Sequence, residues 1–304
     1  MQKIYNDPDT GEVRLVKSSR ATRISIRIHP VRGITVTVPL LMRYQDGLKF
    51  YMSKRKWVLE TVERQREKAS EAEKSGTAVP VPGDGTVVRT LLSEICFVRD
   101  VFSSSVREAR ISVSSVEDLS KTGRLFLCLD RPVTRKIVNY SSSMPHEGTA
   151  ELSTMLSNAL VQILRDEARV LLPEKLDFFA DRYGFTYNKL TVKHNRSNWG
   201  SCSAKGNINL NLNLLRLPES LCDYVLLHEL CHLKHPDHGC GFHKLLEELC
   251  ADNMERLITL SETVIGKSSD VVYLKELLKS AGASRAVHPV HYILEKEIKK
   301  YRLL

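Results

Sequence analysis

His228-Glu229-Leu230-Cys231-His232-Leu233-Lys234-His235-Pro236-Asp237-His238 is the stretch from which the rest of the chain can be read. Pro218-Glu219 opens a helical pattern that runs through Leu221, Tyr224, Val225 and Leu227, so His228 and His232 fall at i and i+4 of one helix. Residues so spaced lie one above the other with Cβ atoms about 6 Å apart, and both imidazoles can reach a single zinc ion. Glu229 is placed to polarise a water on that ion. Leu226, Leu227, Leu230, Cys231 and Leu233 are uncharged, as a half-buried helix requires. Pro236 is expected to end the helix and let the chain fold back, bringing His238 to the third coordination position, with His243 as the alternative ligand. Three protein ligands leave one position for water, the pattern of a catalytic rather than a structural zinc. The expected reaction class is metal-assisted hydrolysis, with Glu229 taking the proton of the attacking water and passing it to the leaving group. Five of the ten histidines lie between 228 and 243, which makes chance a poor explanation.

Composition sets the frame around this motif. The chain has 304 residues, 42% apolar and 27% charged, which is globular and long enough for two domains; disordered, collagen-like and disulfide-stapled classes are excluded. No apolar run approaches the roughly 18 residues needed to cross a bilayer, and the start lacks a signal-like apolar core. The seven cysteines are odd in number and form no C-x-x-C pair, so reduced thiols in a cytoplasmic protein without membrane association are expected. The net charge is +9. Residues 1 to 70 carry about 15 basic and about 7 acidic side chains, so the excess sits in the first quarter. Arg20, Arg23, Arg27, Arg32 and Lys54-Arg55-Lys56 offer a surface for nucleic acid or nucleotides, although no aromatic stacking motif is interleaved with them.

Ile24, Ile26 and Ile28 alternate with Arg23, Ser25, Arg27 and His29, and after a turn at Pro30–Gly33 the pattern resumes at Ile34, Val36 and Val38, predicting a β-hairpin with one basic face. A charged helical segment follows from about 44 to 74, then a linker at Pro80–Gly85. Short β-prone runs such as 94–98 and 124–128 occupy the stretch to Tyr140. Leu156, Leu160, Val161 and Leu164 begin a helix expected to stop before Pro173, with a second piece over 176–182. Residues 206 to 214 alternate Asn with Ile or Leu, which predicts a strand burying Ile208, Leu210, Leu212 and Leu214 and showing Asn207, Asn209, Asn211 and Asn213. An edge position there would let a peptide add to it; an interior position would leave an amide face. Met254 lies on an apolar helix face and reads as core, and His235 as an exposed neighbour of the ligands.

Asn198-Trp199-Gly200-Ser201-Cys202-Ser203, Gly206-Asn207-Ile208 and Asp223-Tyr224-Val225 leading into His228–His238 resemble the YgjP-like zinc metallopeptidase family, related to the SprT-type zincins. Arg20–Ile28 with Thr35–Pro39 resembles that family's amino-terminal β region. The resemblance implies Zn2+ held by His228, His232 and His238, Glu229 as catalytic acid and base, and a peptide or protein substrate. The family carries an Arg immediately before Trp-Gly-Ser-Cys; here Asn198 stands there, and Arg196 is the candidate to stabilise the oxyanion. Trp199, Asn209 and Asn211 are the candidate substrate-binding residues. The expected fold is α+β, with a β-rich region over 1–150, a zincin-like catalytic domain with the HExxH helix over 151–262 and a helical extension over 263–304. Two further readings of the same features are a nucleotide phosphoanhydride hydrolase using the same metal, and a nucleic-acid-associated binding protein acting through the basic region.

Overall fold

A computed structural model describes residues 2–29, 33–74, 81–100, 111–118, 134–141, 144–264, 276 and 289–304. The expected strand at 124–128 and Arg32 lie outside them. The chain is mixed α and β and divides into two compact units, Met1–Ala78 and Val79–Leu304.

The first unit is a four-stranded sheet in the order β1-β2-β4-β3, made by β1 (Gln2–Asp7), β2 (Gly11–Ser18), β3 (Ser25–His29) and β4 (Gly33–Pro39). The expected antiparallel pairing of β3 with β4 is present, with Ile26 opposite Val36 and Ile28 opposite Ile34. The parallel pairing of β2 with β4 was not legible in the local pattern. Helices α1 (Tyr44–Ser53) and α2 (Arg55–Lys74) take the place of the single helix expected over 44–74. Val13, Leu15, Val36, Val38, Tyr51 and Val58 form the core between sheet and helices. Gly47 lets α1 approach closely: a Cβ there would sit 2.5 Å from Val38 Cγ2. Arg55 is bound to the buried Asp7 at 2.8 Å and to Asp9, so it does not stand free in the basic surface.

The second unit begins with a sheet of order β5-β6-β8-β7: β5 (Val87–Arg89), β6 (Ser93–Asp100), β7 (Ile111–Asp118) and β8 (Thr134–Ser141). Val88, Ile95, Phe97, Val138 and Tyr140 share one core with the helix that follows, which is why the division falls after Ala78 and not at 150. That helix, α3 (Ala150–Tyr183), is capped by Thr149 and closed by Gly184 in the left-handed region, φ 65°. It runs straight through Pro173. Proline removes one bond to the fourth residue back, but Leu171, Leu172, Lys175, Leu176 and Phe179 are buried on either side of it, and that burial outweighs the loss.

A second, three-stranded sheet has the order β10-β11-β9, from β9 (Lys189–Lys193), β10 (Gly200–Cys202) and β11 (Asn207–Asn211). β11 is central, antiparallel to β10 and parallel to β9. The strand expected over 206–214 stops at Asn211, and Leu212–Arg216 wind into a 3₁₀ turn that buries Asn213 with Leu212, Leu214 and Leu215. Asn211 causes the break, since its side-chain oxygen accepts from the backbone N–H of Asn213 at 3.1 Å and ends the ladder. Next come α4 (Glu219–Cys231), buried on nearly all sides, α5 (Cys240–Val264) and, after residues outside the description, α6 (Val290–Ile298). Lys175 of α3 is fully buried and holds Glu219 at 2.6 Å and Asp223 at 2.8 Å, fixing the start of α4 from below.

Candidate metal centre

His228 and Glu229 lie in the last turn of α4, and His232 is its C-cap residue. The helix ends there, four residues before Pro236, because Leu233, Lys234 and His235 turn back onto the carbonyls of Leu230 and Cys231. The returning chain brings His238 to the pair. His238 Nε2 lies 3.3 Å from His228 Nε2, and the ring centroids of His232 are 4.9 Å from His228 and 4.7 Å from His238. The ligand atoms of all three lie within 4.8 Å of one another. Bonds of about 2.05 Å from a tetrahedral ion place neighbouring nitrogens about 3.3 Å apart, so the His228–His238 spacing is that of two ligands on one ion. His243 is turned elsewhere, its Nδ1 3.2 Å from His291 Nε2. Phe242 forms the floor, its ring 4.7 Å from His232 and His238 and 5.0 Å from His228.

The electrostatics favour unprotonated imidazoles. Burial, followed by repulsion from His232 and His238, holds His228 down to about 4. Burial also lowers His232, whose Nδ1 faces the His235 carbonyl at 3.1 Å and leaves Nε2 to the centre. His228 Nδ1 is buried without a hydrogen-bond partner, and so is Oε2 of Glu229. Desolvation pushes Glu229 up to about 8; a cation beside it stabilises the carboxylate and opposes that shift. Three convergent imidazoles beside the orphaned Oε2 of Glu229 fit a divalent ion.

Gly200 faces Glu229 from β10. A Cβ there would lie 2.6 Å from Glu229 Oε1 and 2.8 Å from its Cγ, so only glycine lets the strand pass this carboxylate without a shift. The sequence pattern singled out Trp199-Gly200-Ser201-Cys202 only through the family resemblance and did not contain this constraint.

Residues 132–262 match a family described as YgjP-like, metallopeptidase domain. Residues 132–262 of the second unit are thus similar to a YgjP-like metallopeptidase domain. A solved structure, the metallopeptidase zymogen of Pyrococcus abyssi abylysin, is 26% identical over 29% of this chain and 93% of its own, with a TM-score of 0.25. No curated protein matches the chain.

Within the matched region the remaining candidates separate. Arg196 is exposed in the loop leading to β10. Trp199 is half-buried against the core. Asn209 is half-buried and donates to Ser201 Oγ at 3.0 Å across the β10–β11 pair. Asn211, expected to face a substrate, is fully buried; its amide donates to the carbonyls of Asn195 at 2.8 Å and Asn198 at 2.9 Å, so it shapes the loop from inside. Met254 is a core residue. Among the described residues no helix is long and apolar enough to cross a membrane.

Proposed function

We propose that the chain is a zinc-dependent peptidase that hydrolyses peptide bonds at His228, His232 and His238. The observation that carries the reading is the convergence of these three imidazoles beside a buried carboxylate that Gly200 of an edge strand touches. A zinc ion bound by three histidines keeps a position for water and lowers that water's pKa to about 7. Glu229 takes the proton released as the water attacks the carbonyl carbon, then delivers it to the leaving amine. The water-poor setting of its carboxylate makes it a strong enough base for the first transfer. Arg196, in the exposed loop before β10, is the residue we assign to the developing oxyanion.

Support for a peptide comes from the edge of β10. Backbone bonds join Asn211 N to Trp199 O and Ser203 N to Asn207 O, so the pairs 199/211, 201/209 and 203/207 are the hydrogen-bonded ones. Gly200 and Cys202 sit in the alternate pairs, and their N–H and C=O groups point away from β11. An extended peptide adds there, on β10, and its backbone runs past Gly200 and hence past Glu229. This replaces β11 as the docking strand, because both sides of β11 are occupied.

The test is a hydrolysis panel on zinc-loaded protein, with unfolded proteins and peptides in one arm and nucleoside triphosphates in the other, each beside Glu229→Gln. Peptide cleavage lost on that substitution is the expected result. Phosphate release that depends on Glu229, without peptide cleavage, overturns the peptidase reading.

A further inference from the structure

The strand register of the first unit separates its charges. β2 and β4 run parallel and finish together, Ser18 opposite Pro39, while β1 and β3 begin at that same end, Gln2 opposite Val16 and Ser25 opposite Thr37. Lys3, Lys17, Arg20, Arg23 and Arg43 gather there, whereas Asp7, Asp9 and Glu12 lie at the other end, where β1 turns into β2. Among the described residues none of the five cations forms an ion pair. Asp46, in the first turn of α1, is engaged in the helix start, accepting from Arg43 N at 2.9 Å. Between the end of β4 and α1 the basic end carries Leu40, Leu41 and Met42, which are 60%, 98% and 39% exposed. Single exposed apolar residues are ordinary, but three in succession at a turn, where Gly, Asn, Asp and Ser are favoured, are not. The turn is also held in shape. Met42 N donates to the Pro39 carbonyl at 3.1 Å, and Lys17 Nζ donates to the carbonyls of Pro39 at 3.3 Å and Leu40 at 2.9 Å. Lys3 and Lys17 lie over the Tyr44 ring, 5.4 and 5.3 Å from its centroid, which ties the basic side chains to the helix start behind the tip.

We propose that this tip is a peripheral membrane contact: Leu40, Leu41 and Met42 enter the headgroup–acyl boundary of a bilayer, and the surrounding cations meet the phosphates of anionic lipids. An apolar wedge ringed by cations matches a surface that is anionic outside and apolar a few ångströms below. The cations are spread over the ends of four adjacent strands, about 14 Å at about 4.8 Å per spacing, and only a broad anionic surface reaches them while the tip is buried. A protein pocket that took the tip would leave the outer cations in water, and a nucleic acid paired with the cations would leave the leucines wet. Such a contact needs no spanning helix, so the expectation of a protein without membrane association, drawn from the lack of a long apolar run, does not bear on it. Three side chains and a few charges give reversible, salt-sensitive binding and not a permanent anchor. All of these residues belong to the first unit, and none of them depends on the metal centre.

The test is co-sedimentation of the full chain with phosphatidylcholine vesicles and with vesicles that also contain phosphatidylglycerol, at low and high salt. It compares the parent with Leu41→Ser, with Arg20→Glu/Arg43→Glu, and with Lys54→Glu/Lys56→Glu. The last pair is exposed at the opposite end of the unit, on either side of the Arg55 that holds Asp7, and changes the net charge equally. Melting temperatures and sedimentation velocity without vesicles accompany each variant; Leu41 is so exposed that its replacement should leave the melting temperature unchanged. The parent is expected to bind the anionic vesicles, less so at high salt. Leu41→Ser should weaken that binding about 10-fold or more, and Arg20→Glu/Arg43→Glu by more than about 5-fold per residue, while Lys54→Glu/Lys56→Glu stays within about 3-fold of the parent. Failure of the parent to bind anionic vesicles overturns the proposal. So does Leu41→Ser binding as tightly as the parent, which would trace adsorption to charge alone, or equal losses in the two double variants, which would trace it to net charge. Self-association of the parent that Leu41→Ser abolishes, with vesicles left unbound, assigns the tip to a second copy of the chain and overturns the lipid contact.

Discussion

Replacing Gly200 by alanine places a methyl group 2.8 Å from Glu229 Cγ, against a normal carbon–carbon separation of about 3.5 Å, and 2.6 Å from Oε1. One side must retreat by about 0.7 Å. Gly200 is tied into the β10–β11 pair while Glu229 is the end of a side chain with a free Oε2, so the carboxylate moves. A displacement near 1 Å at a catalytic group costs on the order of 100-fold, so kcat/KM for peptide hydrolysis should fall about 30- to 100-fold, or about 2 to 2.7 kcal/mol of barrier. The three histidines are not displaced, and zinc affinity should remain within a few-fold. Overpacking adds about 1–3 kcal/mol of destabilisation, read independently by urea unfolding. The decisive assay is a double-mutant cycle with Glu229→Asp, whose shorter side chain withdraws from the methyl group. In that background Gly200→Ala should cost much less than in the parent. A Gly200→Ala enzyme at parental rate, or costs that multiply independently, would refute the reasoning.

Lys175→Met should destabilise the second unit by about 3–5 kcal/mol in urea, since it removes the buried cation that Glu219 and Asp223 share and leaves Asp223 the longer contact to Arg256 at 3.8 Å; a loss below 1 kcal/mol would show that the carboxylates are neutral in the fold. In the first unit the Arg55 guanidinium holds Asp7 well below the ordinary value of about 3.9. The stability it gives is present above about pH 3.9 and disappears as the pH falls below it, so Asp7→Asn should flatten that part of an acid-unfolding curve. His228, held down to about 4 against an ordinary value near 6.5, resists protonation only when folded. Metal-free protein should therefore lose stability as the pH drops from about 6.5 to about 4, and His228→Gln should reduce that slope in a series of melting curves.

The histidine cluster was legible because its determinants are local: two histidines one helical turn apart and a third just past a short reversal. The parts misread depend on contacts distant in sequence. Pro173 breaks helices by its own chemistry, yet here tertiary burial carries α3 through it. The alternation of 206–214 was read as one strand because an Asn looks the same whether it faces water or turns its amide inward. Asn211 does the latter, organising residues 195–198 and starting the 3₁₀ turn. The boundary expected at 150 failed for a similar reason, since strands β5 to β8 find their apolar cover on α3, which follows them in the chain. Gly200 shows the limit most plainly: its spacing from Glu229 is a property of two elements meeting, and no window of sequence contains both.

The edge of β10 also shows how little binding the strand itself supplies. Three residues present four outward backbone groups, on Gly200 and Cys202, and the Gly200 carbonyl is already taken by Asn198 Nδ2 at 2.9 Å. A peptide docked as proposed would meet the N–H of Gly200 and both groups of Cys202. That small number limits unwanted strand pairing when no substrate is present, as short edges do. It also means that generic backbone affinity is modest and that discrimination between peptides must come from side-chain contacts beyond the strand. Asn198, by donating to that carbonyl, closes a backbone site on the edge.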